Sequence, residues 1–216
     1  MTTSKVLVIV GNPFADSYDH ALAVAYLEGL GDAAEARVID LATDPVPASP
    51  TDRDQVRARG VEEPDGLAHL EPVVAEYIET LEWADHIVVI YPQWWGTYPA
   101  VLKAFIDRVF LAGRAFTYKS SGLPNQYYKG RTVRFVMTAD APGFWNRLMY
   151  RNASETSLKR AIFGYVGIKT VGFTRFRPMR TSTDSKRAGW LSKVNEIGRR
   201  DARRYGRTGE RVLSST

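Results

Sequence analysis

Short, unbroken apolar runs alternate along this chain with segments in which apolar residues return at helical spacing. Val6–Val10 is rich in β-branched side chains and stops at Gly11-Asn12-Pro13. A run of that length, closed by turn residues, predicts a strand buried on both faces. Ala21, Leu22, Ala25 and Leu30 then fall near helical spacing, and Arg37–Leu41 is a second candidate strand. Leu67, Leu70, Val74, Tyr77, Ile78 and Leu81 trace one face of a helix. The apolar run His86–Tyr91 follows as a third strand. The next helix is predicted from Pro99, a residue suited to the first helical position, with Leu102, Phe105, Ile106 and Val109 facing the core. Val133–Thr138 reads as a fourth strand and Thr170–Phe176 as a fifth, with helical material around Ser154–Phe163 between them. A basic amphipathic helix is predicted from about Asp184 to Tyr205.

Five buried strands separated by helices predict an α/β fold: a doubly wound parallel sheet in three α/β/α layers. No internal repeat is present, and residues 1–216 read as one domain. Within it, 43–66 carries Pro45, Pro47, Pro50 and Pro64 and reads as a long loop or a poorly ordered excursion. The Gly-, Ser-, Asn- and Tyr-rich stretch 117–130 reads as a mobile loop, and 206–216 as a flexible tail. Open sheets of this kind bind ligands beyond the carboxyl ends of their strands. That directs attention to the loops 11–19, 92–98 and 138–145.

Composition narrows the chemistry. The chain has no cysteine, which excludes disulfides, thiolate metal sites and thiol nucleophiles. Its three histidines, His20, His69 and His86, are scattered without metal-ligand spacing, so no metal site is expected. No apolar run approaches the roughly 20 residues of a membrane span. Met1-Thr2-Thr3-Ser4-Lys5 leads into the first strand without a signal-peptide pattern, so a cytoplasmic setting is expected. The net charge is +5, and from Arg175 onward twelve basic residues face four acidic ones. A basic end of this kind serves phosphate ligands, nucleic acid or simply a solvated helix face. Aromatic residues are not interleaved there in a way that suits base stacking, which disfavours nucleic acid.

Each of the three loops carries candidate chemistry. Gly11–Asp19 joins a strand to a helix, so its backbone amides and the Ser17 hydroxyl form either a phosphate cradle or an ordinary helix cap. The loop has neither the lysine of a Walker motif nor the further glycines of a dinucleotide fingerprint. Pro92-Gln93-Trp94-Trp95-Gly96-Thr97-Tyr98-Pro99 puts three aromatic rings directly after a buried strand. Two adjacent tryptophans in a turn cannot both be core, so they wall either a planar heterocycle or a partner surface. Thr138-Ala139-Asp140-Ala141-Pro142-Gly143-Phe144-Trp145 combines small residues, a carboxylate and two more aromatics.

The stretch Tyr91–Phe116, with Pro92-Gln93-Trp94-Trp95, Pro99–Lys103, Asp107–Phe110 and Gly113–Phe116, resembles the flavodoxin-like NAD(P)H:quinone oxidoreductases, the family of DT-diaphorase and its shorter bacterial relatives. Lys5–Pro13 through Ser17-Tyr18-Asp19 is similar to that family's first strand and phosphate loop. The resemblance runs from about Lys5 to about Leu191. It implies a flavodoxin-like five-stranded sheet, bound FMN (with FAD the alternative) and a homodimer with the active site at the interface. It also implies ping-pong, two-electron reduction of a quinone-like acceptor by NAD(P)H. By position it assigns Asn12, Ser17, Tyr18 and Asp19 to the flavin phosphate. Pro92, Gln93, Trp94, Trp95 and Gly96 fall along the ring edge, and Thr138, Ala139 and Asp140 at the pyrimidine end. The family's larger members pair a tyrosine with a histidine beside the flavin, and no histidine follows His86 here. Trp95 and Tyr150 are therefore the expected catalytic residues, with Tyr128, or its neighbour Tyr127, closing the pocket from the 117–130 loop. The competing expectation is a non-catalytic flavin-binding electron carrier or regulatory subunit.

Overall fold

The computed structural model describes residues 4–60, 63 and 65–205. Strands β1 (Ser4–Val10), β2 (Ala34–Asp40), β3 (His86–Pro92), β6 (Thr132–Thr138) and β7 (Lys169–Phe176) form one parallel sheet in the order β2-β1-β3-β6-β7. The period of two divides each central strand between two helical layers. Leu7, Ile9, Ile87, Val89, Tyr91, Val133, Phe135 and Met137 point into the layer of α2 (Pro72–Trp83) and α3 (Ala100–Val109). Val6, Val8, Val10, Val88, Ile90 and Val136 point into the layer of α1 (Tyr18–Leu30) and α6 (Asp184–Tyr205). The chain leaves β1 toward one side of the sheet and β3 toward the other, so the order reverses at the carboxyl ends of β1 and β3. A crevice forms at that reversal in doubly wound sheets.

The α1–α6 contact depends on two glycines. A Cβ on Gly29 would sit 2.0 Å from the Asn195 carbonyl oxygen, and one on Gly198 would sit 2.3 Å from that of Tyr26. The two backbones therefore approach closer than any side chain allows. Below this crossing, Arg134 of β6 points into the same layer and donates two hydrogen bonds of 2.7 Å to Asp201 of α6. Tyr26 donates to the same carboxylate, and His86 lies 3.4 Å from it. Burial opposes ionisation of Asp201, but His86 and Arg134 outweigh it and hold its pKa at about 2. Burial pushes His86 the other way, below 6.5, and keeps the ring neutral near pH 7. These groups fasten α6 to the amino ends of the strands, opposite the crevice.

Four segments differ from the sequence-based expectation. Pro99 caps α3 from outside instead of opening it, because its ψ of 155° is not helical. Residues 117–130 contain much of a small antiparallel hairpin, β4 (Phe116–Tyr118) with β5 (Pro124–Gln126). The helical material after α4 (Gly143–Leu148) is one turn, α5 (Ala153–Thr156), followed by a π-helical stretch at Ser157–Phe163. The proline-rich excursion is anchored: Val46 and Ala58 are buried in the core, and Arg108 of α3 donates to the Pro47 carbonyl at 2.9 Å. The expected tail at 206–216 lies outside the described residues.

Candidate functional site

The loops after β1, β3 and β6 close around a cleft of about 390 Å³ at the crevice, within the range of small-molecule sites, about 300–1,000 Å³. Asp19, in the first turn of α1, builds its floor. The carboxylate is buried and accepts from Asn12 Nδ2 at 2.7 Å and from the Thr138 hydroxyl at 2.9 Å. Burial raises its pKa, while Asn12 and Thr138 favour the ionised form. Asn12 Oδ1 in turn accepts the Phe14 amide at 3.0 Å and shapes the loop. The amides of Tyr18 and Asp19, in the first turn of α1, have no intrahelical acceptor and suit an anion. The Arg187 guanidinium lies 6.0 Å from the Tyr18 ring and adds positive charge on that side.

The second wall is the turn after β3. Trp94 and Thr97 exchange backbone hydrogen bonds of 3.2 and 2.9 Å around Trp95 and Gly96, whose φ values are 51° and 76°. Positive φ at both central residues makes this a type I′ turn. Trp95 occupies a position that favours asparagine or glycine and is 99% exposed. A Cβ on Gly96 would meet the Tyr150 ring at 3.0 Å, so Tyr150 packs over the turn. Behind it, Gln93 Nε2 donates to Asn146 Oδ1 at 2.7 Å and lies 3.4 Å from the Gly96 carbonyl oxygen. Two acceptors around Nε2 fix the orientation of the amide. Gln93 Oε1 is buried without a donor among the described residues, so an unsatisfied acceptor lies within this wall.

The cleft is lined by Asn12, Tyr18, Asp19, Pro92, Gln93, Trp94, Trp95, Gly96, Thr138, Ala139 and Asp140, together with Ala141, Tyr150 and Met179. All the expected cofactor contacts except Ser17 therefore meet in one place. The Ser17 hydroxyl instead pairs with His20 Nδ1 at 2.8 Å, and His20 Nε2 contacts Asp40 at 2.9 Å. The Asp19 carboxylate is taken up by protein groups, so what Asp19 offers an anion is its backbone amide. The expectation for Tyr128 fails. It is buried just before β6, at the amino end of the sheet, and its hydroxyl donates to Glu82 at 3.3 Å. Tyr127 shares a 3.0 Å hydrogen bond with Thr117 and is not a lid either.

The sequence model of one protein family, described as flavodoxin-like fold, matches residues 4–197. The chain belongs to this flavodoxin-like family. An FMN-dependent NADH:quinone oxidoreductase of Pseudoalteromonas atlantica is 33% identical over 115 residues, 53% of this chain and 54% of that protein. The match thus spans about half of that relative. A protein of the same name from Gluconobacter oxydans is 26% identical over 191 residues, covering 87% of this chain and 93% of its own. Among solved structures, the Streptococcus mutans protein Smu.1420 superposes with a TM-score of 0.77 at 25% identity, over 91% of this chain and 99% of that one. The resemblance read from Tyr91–Phe116 agrees with these relatives.

One residue of this flavodoxin-like site escaped the sequence reading. Asn146 on α4 is wholly buried, accepts from Gln93 and donates to Asn152 Oδ1 at 3.1 Å. Its only signal was an amide one helical turn after Pro142, without a pattern to single it out. Among the described residues, no helix is long and apolar enough to cross a membrane.

Proposed function

We propose that this chain is an FMN-dependent oxidoreductase that passes a hydride from NAD(P)H to a quinone or similar planar acceptor. The observation that carries the reading is the cleft itself. Spare helix-start amides lie on one side, an unpaired Gln93 acceptor and aromatic rings on the other, and the curated relatives bear this activity in their names. FMN, when bound, supplies the two-electron chemistry. It suits this site better than FAD because the two full-named relatives are FMN-dependent. The start of α1 and Asn12 would hold the phosphate, and Gln93, Trp94 and Tyr150 would line the ring and shield one edge from water. In this reading donor and acceptor take turns on the exposed face of the ring.

The segments that form the cleft carry exposed apolar side chains: Phe14, Trp94, Trp95, Phe144, Trp145, Leu148 and Met149. Exposed apolar surface in this number is the mark of an association surface, which supports a homodimer at this end of the sheet. A cytoplasmic setting, where NAD(P)H is supplied, belongs to the same reading. The test is the visible spectrum of the purified protein, followed by NADPH and then a quinone. A flavin spectrum that bleaches with NADPH and returns with quinone is expected. A colourless protein that takes up no FMN and oxidises no NAD(P)H would overturn the reading and leave a binding module.

A further inference from the structure

We propose that a second cleft, adjoining the first, anchors the anionic group of a planar aromatic substrate, with Arg180 as its lining cation and Arg177, packed behind Gly143, as a second positive charge outside the lining. The inference deepens the oxidoreductase reading and rests on it for what happens in the first cleft. The second cleft holds about 450 Å³ and shares Asp140, Ala141 and Tyr150 with the first. One molecule can therefore place its reacting ring in one and its tail in the other. Pro142, Trp145 and Pro178 give the tail cleft apolar walls, and Arg180 and Thr181 give it a polar edge. Apolar walls with one cationic edge suit a flat ring that bears a phosphate, sulfonate or carboxylate.

The two arginines act on an anion in different ways. Asp140 Oδ1 accepts the backbone amide of Arg180 at 2.6 Å, so main chain fixes the loop. The Arg180 guanidinium lies a long 3.7 Å from Asp140 Oδ2, and its side chain is 82% exposed. That contact is weak and easily exchanged for a ligand. Arg177 is half-buried against Gly143, where a Cβ would lie 3.2 Å from its Nη2. Its Nη1 is buried without an acceptor among the described residues. Arg177 lines neither cleft, but its charge beside Pro178 and Gly143 adds to the attraction for an anion there. The surroundings agree in sign. Arg147, Arg151, Arg177, Arg180, Lys186 and Arg187 lie on the segments that border the two clefts, against Asp16, Asp19, Asp140 and Asp184. Such a mouth draws anions toward it.

Two sources carry this chemistry, the 2′-phosphate of NADPH and an anionic aromatic acceptor. The FMN-loaded protein is assayed with NADPH against NADH, and with 1,4-naphthoquinone-2-sulfonate against 1,4-naphthoquinone. Arg180→Ala and Arg177→Gln are compared with Arg199→Ala, an exposed α6 variant of equal charge change. The anionic member of at least one pair is expected to be preferred. That preference in kcat/KM should drop about fivefold or more in Arg180→Ala and Arg177→Gln but not in Arg199→Ala. Loss in the nucleotide pair identifies the 2′-phosphate, and loss in the quinone pair identifies the acceptor. Calorimetric titration with adenosine 2′,5′-bisphosphate and with naphthalene-2-sulfonate reads the same subsite without turnover. Absent NAD(P)H oxidation would defeat the reductase reading while the titrations still decide this one. Unchanged preferences, together with probe binding untouched by either substitution, would overturn it.

Discussion

Replacing Trp95 by asparagine should make the protein more stable and less active at once. Trp95 sits at a φ of 51° in a type I′ turn, a conformation that costs most L-residues on the order of 1–2 kcal/mol and asparagine far less. Its ring is 99% exposed, so truncation removes no buried area to offset that gain. Asparagine adds none of the unfolded-state freedom that glycine would bring. The flavin-free protein should gain about 1 kcal/mol, which for a chain of this size raises the thermal midpoint by about 2–4 °C. The same change removes the largest aromatic surface at the mouth of the cleft, so FMN retention or the rate of reduction by NADPH should fall. Differential scanning calorimetry on flavin-free protein, FMN titration and stopped-flow bleaching read the two effects separately. A lower midpoint with undiminished flavin binding and reduction would refute the argument that strain is kept here for the ligand.

Other expectations follow from single contacts. Gly198→Ala puts a methyl group 2.3 Å from the Tyr26 carbonyl oxygen; it should cost about 1–3 kcal/mol or more in urea denaturation, by prying α6 from α1. Asn146→Ala should free the Gln93 amide to rotate and weaken FMN binding several-fold in a fluorescence titration, while the far-ultraviolet circular dichroism stays unchanged. Stability should decline in two acid stages. His86, held below 6.5, begins the loss as pH falls through 6.5, where the unfolded chain gains a proton first. Asp201, held at about 2, contributes fully above its ordinary 3.8, and about 2 kcal/mol is lost as pH falls from there toward 2. Asp201→Asn should abolish the second stage in pH-dependent calorimetry.

The sheet was legible because its central strands are buried on both faces, and runs such as Val6–Val10 and His86–Tyr91 leave no polar register to misread. The cleft was legible for a related reason, since parallel strands put every candidate loop at one end of the sheet. What local pattern could not show was which polar groups already have partners. Asp19 reads as a ligand residue in sequence, yet Thr138, 119 positions away, engages it. Asn146 gains its role only because α4 folds back onto Gln93. Tyr128 was misjudged because a Gly- and Ser-rich context looks mobile, whereas the β4–β5 hairpin fastens it: its amide donates to Val166 and its ring sits in the core. That the loop at 43–66 is anchored was not legible either, because Arg108, 61 positions from Pro47, is the group that pins it.

The buried carboxylate of Asp19 grips the loops after β1 and β6, and β3 lies between those two strands. That grip spans the crevice like a tie-rod between opposite banks. The width of the slot is therefore set before anything enters it, and its two sides cannot spread to admit a thicker guest. Flatness becomes the admission rule, enforced by the scaffold and not by the guest's own binding. Whatever tolerance the protein has for different guests must come from the outer lip at 94–97 and 141–150. Attempts to widen its repertoire should redraw that lip and leave Asp19 alone.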